Sequence, residues 1–471
     1  MKRIFQYDFK NCLLSAFIAL ITLSAIASRA NAQASASIWG YITDESGAAV
    51  ASAAITVKNI ETGAIRTTKS NALGNYLVLS LLPGRYEINV SNPGFKVAHA
   101  PKVDLSVVEE ARLDVTLYVA AANINVVVTS DTSLVNTSTS DSSGLVTGQQ
   151  VKDLPLNGRS YDLLLPLNPG IVNFTSQKTG GNGISNSTTA NNFSVSGNRP
   201  QQNLFLLNGV EFTGAAENNM TPGGTSGQLL GVDAVREFNV QRDSYGAEFG
   251  KKPGGQVIIV TRSGSNQLHG ALFEFLKNNA LDAPNVFDQG NAPPFQRNQF
   301  GATLGGPIRK DKTFAFGNYE GFRQHLHQTS AAFVPDLRAR AAAVSSVQPL
   351  LNLWPTAAAT DPDFPGTCTP PTPLPADACG IAEVFSSPLQ TIREDFGTVR
   401  VDHISSSKDT FSTIYTADDG EDFTETPLDP FSADIETLRE QVLSIEETHV
   451  FSSSLLNTAR FGFSRAGYFF T

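Results

Sequence analysis

Residues 231–262 read GVDAVREFNVQRDSYGAEFGKKPGGQVIIVTR. The stretch opens with a helix-length segment, residues 232–236, and passes into a short strand over residues 237–241. Tyr245-Gly246 and Gly254-Gly255 follow, places where the backbone must turn tightly or approach another backbone closely. Val257, Ile258, Ile259 and Val260 then form an unbroken apolar run, and basic Arg262 closes it. A β-branched run of this kind after a turn predicts a strand buried on both faces.

Working outward, the 471 residues suffice for more than one domain. Charged residues make up 17% and mean hydropathy is −0.10, which excludes both a disordered chain and a helical membrane protein. The 38 Gly and 25 Pro predict many turns and little long helix. A net charge of −10 argues against a general nucleic-acid binder. Three Cys exclude a disulfide-rich scaffold. At the N-terminus Lys2, Arg3 and Lys10 flank the start of an apolar stretch, residues 12–27, and Ala30-Asn31-Ala32 fits a small-residue cleavage site. Residues 1–32 therefore read as a signal peptide with a mature start at Gln33. The apolar run is shorter than the ~20 residues of a spanning helix. Cys12 lies inside it and not after the cut, which argues against a lipoprotein. No later apolar run could cross a membrane as a helix, so membrane residence would require a barrel.

Residues 37–119 alternate in short strands at 37–42, 54–59, 75–79, 85–90 and 112–119, with turn signals between them, a sandwich pattern. Gly40, Ile42, Asp44 and Gly47, then Thr68, Gly74, Tyr76, Leu82, Pro83, Gly84 and Tyr86, then Gly94 and Phe95 resemble the carboxypeptidase regulatory-like (transthyretin/Ig-like) domain. A zinc carboxypeptidase would need a close His/Glu ligand set, a later His and a Glu base. The chain has six His; His99 is the only one before residue 269, and His325 and His327 have no acidic residue at ligand spacing. A spacer or binding module is expected, with no catalytic residue, metal or cofactor.

Val235, Glu237, Tyr245, Gly246, Gly254, Gly255, Val257, Ile259 and Thr261 resemble the passage from plug to barrel in TonB-dependent outer-membrane receptors. The family's Arg-Gly-Pro is replaced by residues 241–244. LPLNGR at 154–159, SVSGNRPQQNLFLLNGV at 194–210 and DSYGAEFG at 243–250 are similar to the Oar-like subgroup. The resemblance implies a plug over residues 144–262, with short helices at 151–156 and 161–167 broken by Pro155 and Pro166. A strand at 192–196 follows, then a hairpin at Asn208-Gly209. Gly/Asn/Thr-rich residues 180–192 and 213–227 would be plug loops on the ligand side or simple connections. Between sandwich and plug, residues 120–143 form a linker. Within it Val126, Val127, Val128 and Thr129 either form the TonB box, which pairs with the energising protein as an added strand, or begin the plug itself.

From residue 267 the pattern turns to ~10-residue alternation, expected to be apolar-out and polar-in as in transmembrane β-strands. Residues 270–278 set Ala271, Phe273 and Phe275 against Glu274; residues 295–304 set Phe300, Ala302 and Leu304 against Gln299, Gly301 and Thr303. Residues 313–323 place Phe314 and Phe316 together. Residues 397–403 set Val399 and Val401 against Thr398, Arg400 and Asp402, and residues 458–466 set Ala459, Phe461 and Phe463 against Thr458, Arg460 and Ser464. Phe322, Tyr415, Tyr468 and Phe469 lie near strand ends, as interfacial girdles require. LGGPIRKDKTFAFGNYEGFR at 304–323 resembles the second hairpin of Oar-like barrels, with a tight turn at 307–312. Residues 324–391 read as a long extracellular loop, in which Cys368 and Cys379 either close a disulfide or remain thiols. DDGED at 418–422 lacks the spacing of a calcium loop and reads as a solvated loop.

The expected fold is mostly β: a sandwich, an α+β plug, then the first strands of an antiparallel barrel over residues 267–471. A plugged barrel of about 22 strands does not fit into that length, so a truncated receptor is expected. The resemblance implies an outer-membrane receptor that takes up an unidentified extracellular ligand, partnered by outer-membrane lipid and a TonB-type protein. A surface binding protein or adhesin without transport is the alternative.

Overall fold

The structure, a computed structural model, describes residues 35–119, 142–173, 191–212, 222–243, 245–246, 249–284, 288, 292–335, 337–355, 381–429, 431–452 and 455–471. Residues 1–32, the 126–129 segment and Cys368 and Cys379 lie outside these. Among the described residues no helix is long and apolar enough to cross a membrane.

The first unit is a sandwich of β1 (Ala36–Asp44), β2 (Ala54–Asn59), β3 (Ile65–Lys69), β4 (Asn75–Leu81), β5 (Gly84–Ser91), β6 (Ala98–Leu105), β7 (Glu110–Arg112) and β8 (Val115–Leu117). One sheet has the order β4-β1-β7, with β8 also on β1; the other runs β3-β2-β5-β6. Alternate residues of both sheets (Ile38, Ile42, Ile55, Val57, Ile88, Val90) meet in one core. The single strand expected over 112–119 is split in two. Its break at Leu113 turns a carbonyl toward the buried Tyr76 hydroxyl, which donates to it at 2.7 Å. Strands β3 and β6 escaped the sequence reading: β3 is polar and mostly exposed, and β6 presents only Ala98 and Ala100 to the core at its start.

The middle unit contains β9 (Ser142–Val146), α1 (Gly148–Asp153), β10 (Ile171–Asn173), β11 (Phe193–Val195), β12 (Leu204–Leu207), β13 (Val210–Glu211), β14 (Val235–Asp243) and β15 (Gln256–Thr261). Its main sheet runs β13-β12-β15-β14-β9, with β12 and β15 parallel and the other pairs antiparallel. Every residue of the central β15 is buried. Val257 and Ile259 join one cluster with Phe205 and Phe238, while Ile258 and Val260 join a second with Leu204 and Leu206. The apolar run is therefore continuous because both its faces are covered. Residues 232–234 do not form the expected helix. They make one turn, Ala234 N–H donating to Gly231 O at 2.8 Å, and Val235 already pairs with Thr261. Helix α1 starts earlier than expected, at a Thr147–Gln150 capping box, and ends before Pro155, whose ring forces Leu154 into extended backbone. Residues 161–167 are 3-10.

The third unit is an antiparallel sheet of β16 (His269–Asn278), β17 (Phe295–Arg309), β18 (Thr313–His327), β21 (Leu389–Ile404), β22 (Asp409–Glu425), β23 (Ala433–Ser452) and β24 (Leu455–Phe470), neighbours in that order. Strands β19 (Ser330–Pro335) and β20 (Ile381–Ser386) pair separately between β18 and β21. Short connections, such as residues 310–312 and 405–408, lie at one end of the sheet; residues 279–294, 328–388 and 426–432 connect at the other. Residues 324–391 thus hold strand ends, a hairpin and two short helices, Leu337–Ala342 and Gln348–Leu351, where the sequence suggested a loop. DDGED at 418–422 lies within β22, with Asp418 and Asp422 buried; it is not a loop.

One face of this sheet packs on the middle unit, and its chemistry departs from the apolar-out expectation. Phe314, Phe316 and Phe322 of β18 are buried on the inner face, and Phe273 and Phe275 of β16 share it. Register also places Tyr468 on that face, opposite Leu438. The middle unit covers the centre of this face, so Phe314, Phe316 and Phe322 are buried without lipid, whereas Phe275 on the edge strand stays exposed. Val399, Val401, Tyr415, Phe461, Phe463 and Phe469 do point outward and are exposed.

Tyr76→Phe leaves the Leu113 carbonyl without its donor. We expect a loss of about 1–2 kcal/mol in sandwich stability, read by denaturant unfolding through Trp39 fluorescence in a Trp354→Phe background.

Candidate functional site

The middle unit meets the sheet through buried polar groups. Asn157-Gly158-Arg159 forms a tight turn in which Arg159 has φ of 56°. This projects its guanidinium into the sheet. Nη2 lies 2.6 Å from Asp233 and Nε 3.4 Å from Glu320, with Glu320 wholly buried. The guanidinium sits 4.0 Å from the centroid of Phe273 and 5.0 Å from that of Phe275. Glu320 also accepts from Gly231 N–H at 3.0 Å and from Gln299 at 2.7 Å. A buried carboxylate is tolerable because a cation and several donors converge on it.

The wall carries more acid than this. Glu320 stands opposite Phe396, Phe396 opposite Asp418, and Asp418 opposite Glu440. Glu394, one row away, accepts from Ser226 N–H of the middle unit at 2.6 Å. In the middle unit Tyr161 and Asp162 are both buried. Burial pushes the Asp162 carboxyl up to about 6, against hydrogen bonds from Ser160 and Asn191. Between the polar contacts, Leu230 and Ala234 pack on Phe316, Phe322, Ile392 and Phe396.

Asn208 and Gly209 form the β12–β13 turn, both at positive φ (50° and 78°), as a two-residue hairpin of type I′ requires. The Asn208 side chain accepts from Thr261 N–H and Oγ1 at 3.0 and 3.1 Å, and its carbonyl accepts from Ser444 at 3.4 Å. Thr261 O in turn accepts from Arg400 at 3.0 Å, and Arg400 forms a two-pronged pair with Asp402. Hairpin, strand end and wall are thereby tied together. A Cβ on Gly209 would stand 2.2 Å from the Arg460 guanidinium, so the wall approaches bare backbone there.

Tyr245 donates its hydroxyl toward the carbonyls of Lys252 and Gly254 at 3.3 and 3.2 Å and packs edge-on to Phe249. Gly246 O accepts from Phe249 N–H at 3.1 Å. Gly254 N–H donates to Gln202 O, and Gly255 N–H to Asn203 Oδ1, as β15 begins. Side chains there would meet Gln202 backbone at 2.6 Å and Val195 at 2.8 Å. These residues shape the middle unit's frame.

Glu237 faces away from the wall and toward the sandwich: its carboxylate accepts from Val107 N–H. Burial pushes this carboxyl up to about 7, opposed by the neighbouring Arg236 charge. Val107 packs with Leu204, Leu206 and Ile258 under the sheet. Arg236 pairs with Glu61 at 3.2 Å, Arg66 reaches Ser407 O at 3.1 Å, and Asn266 N–H donates to Glu61 O at 2.9 Å. The sandwich therefore covers the short-turn end of the sheet. A cavity of about 120 Å³ remains between the three units, lined by Arg66, Tyr86, Arg236, Arg400 and Glu446 among others.

Arg159, Glu320 and Glu394, the groups that join middle unit to wall, carried no site signal in the sequence; Arg159 appeared there only within LPLNGR. Arg159→Met should weaken the assembly by about 3–5 kcal/mol, because it strands two buried carboxylates; Glu320→Gln in that background should recover part of the loss. Chemical denaturation of the detergent-solubilised chain measures both. Glu237 binds its proton more tightly folded than unfolded, so the docked sandwich is most stable below about pH 4.5 and loses stability as pH rises through about 7. The slope is at most about 1.4 kcal/mol per pH unit. Hydrogen exchange at Val107, corrected for intrinsic rates, should follow that slope, and Glu237→Gln should flatten it.

A family model described as an outer membrane beta barrel domain matches residues 260–471, and one described as a carboxypeptidase regulatory-like domain matches residues 37–118. The TonB-dependent transporter Oar of Myxococcus xanthus is 26% identical over 318 residues, 64% of this chain and 28% of that protein. The chain thus spans less than a third of that relative's length. Among solved structures, the outer membrane transporter YddB from Escherichia coli has a TM-score of 0.44 at 14% identity, covering 66% of this chain and 37% of its own. The siderophore receptor PirA from Acinetobacter baumannii has a TM-score of 0.34 at 14% identity, covering 70% and 48%. These relatives are transporters and receptors and not enzymes. The sheet thus matches an outer membrane beta barrel model, the sandwich matches a carboxypeptidase regulatory-like model, and 64% of the chain is similar to the TonB-dependent transporter Oar.

Proposed function

We propose that this chain belongs to an energised uptake receptor, in which the middle unit is the plug and the seven-stranded sheet is part of the barrel around it. The observation that carries this is the polar seat of the middle unit: Arg159 on Asp233 and Glu320, Ser226 on Glu394, Arg400 on Thr261. A hydrogen bond exchanged for water costs only about 0.5–1.5 kcal/mol net. A continuous apolar interface of the same extent would resist separation through its whole area. A plug held by polar contacts can be displaced and can return.

The linker places a handle on this seat. Residues 120–141 precede β9, the edge strand of the plug sheet, which among the described residues pairs with β14 alone. Tension applied through Val126, Val127, Val128 and Thr129 would reach β9 first and peel one edge, not shear the whole sheet. A TonB-type protein that adds a strand to those residues supplies the pull. The ligand enters from the long-loop side, and no bond in it is broken.

The test uses the full chain in detergent and the periplasmic domain of the host's TonB-type protein. Replacing Val126 and Val128 by Pro removes two backbone donors and should reduce affinity at least about tenfold, or ~1.4 kcal/mol. Unchanged affinity would sink the transport reading and leave a surface binding protein.

A further inference from the structure

We propose that Asp409, Glu447 and His449 form a zinc-type divalent metal site on the outer face of the β22–β23 pair, at its short-turn rim. The site is independent of the plug contacts and of the transport reading. Each residue offers a donor atom, and the three donors lie within 4.8 Å of one another. Register explains the convergence. Asp409 and His449 stand directly opposite across the two strands, and Glu447, two residues before His449, points to the same side.

The ligands are held before any ion arrives. Asp409 is the first residue of β22, and the turn before it fixes its carboxylate: Ser406 Oγ donates to Oδ2 at 2.6 Å and accepts from Asp409 N–H at 3.1 Å. His449 Nδ1 bonds the other oxygen, Oδ1. The imidazole packs edge-on to Phe451, ring centres 4.3 Å apart. The Glu447 carboxylate has no hydrogen bond or ion pair among the described residues. Asp409 and His449 are about a third exposed (31% and 32%), so an ion can reach them.

A plain Asp–His pair accounts for two of the three groups. It leaves Glu447 as a second carboxylate beside the first, with one imidazole to balance both. Arg66 of the sandwich reaches this turn, but its guanidinium is bonded to Ser407 O and Thr410. A divalent cation in place of the hydrogen-bonded proton balances two carboxylates and takes the imidazole as its third ligand. Two carboxylates, one imidazole and a water suit zinc at about 2.0–2.2 Å. Imidazole disfavours calcium and magnesium, and no thiolate is present to select a softer ion. Bound zinc would staple β22 to β23 beside the sandwich contact.

The experiment titrates the full chain in detergent, stripped by chelator, with Zn²⁺ alone in a calorimeter and with Co²⁺ by visible absorption. We expect one ion per chain and a tetrahedral cobalt spectrum. Glu447→Gln, which keeps the side chain's shape and removes no contact, should weaken binding at least about tenfold. His449→Ala should abolish the cobalt bands, and Ser406→Ala, which acts through Asp409, should weaken binding by about 10–100-fold. Circular dichroism of the Glu447→Gln chain should match that of the parent. Failure to bind stoichiometric zinc, or binding that survives Glu447→Gln and His449→Ala unchanged, overturns the site.

Discussion

A guanidinium driven into a wall of carboxylates and aromatic rings governs this architecture. Arg159 leaves the middle unit at a strained turn and ends between Phe273, Phe275, Asp233 and Glu320. Neither Glu320 nor the arginine could be buried alone, since an uncompensated interior charge costs far more than a hydrogen bond returns. Each therefore requires the other, and the middle unit and sheet are bound to one relative position. Gly231 N–H and Gln299 complete the carboxylate's coordination and carry the constraint into β17 and into the turn before β14.

That constraint explains the inner face of the sheet. Its rows hold Glu320, Asp418 and Glu440 as well as Phe316, Phe322 and Phe396. Pure apolar packing would fuse wall and middle unit; pure charge would not bury. The mixture gives an interface that is both packed and polar. The sandwich adds a cover at the short-turn end, joined by Glu237 to Val107 and by Arg236 to Glu61.

Several parts were readable directly from residues. The β-branched run of β15, the Asn208-Gly209 hairpin and the Gly254-Gly255 approach express local backbone demands, and local demands are written in local sequence. The turn between β17 and β18 was readable in part: residues 307–309 still belong to β17, and the turn closes at residues 310–312 with Asp311 at positive φ. Alternation likewise announced β21 and β24. It did not announce which face was which. Phe314 and Phe316 alternate as lipid-facing residues would, yet face inward, because periodicity records two faces and not what covers them. DDGED read as a loop since four acids and a glycine rarely make a strand; in β22 Asp418 is buried opposite Glu440 and Asp422 beside Gln390, a context no window of sequence contains.

The sequence by itself determined the strongly patterned strands, most of the tight turns and the family the chain resembles, because each depends on residues close together along the chain. The tertiary structure alone decided the partners of the buried charges. Arg159 and Glu320 are 161 residues apart, and Glu237 and Val107 are 130 apart. Electrostatic pairing depends on distance in space and on the exclusion of water, and both exist only once the sheet has closed against the middle unit.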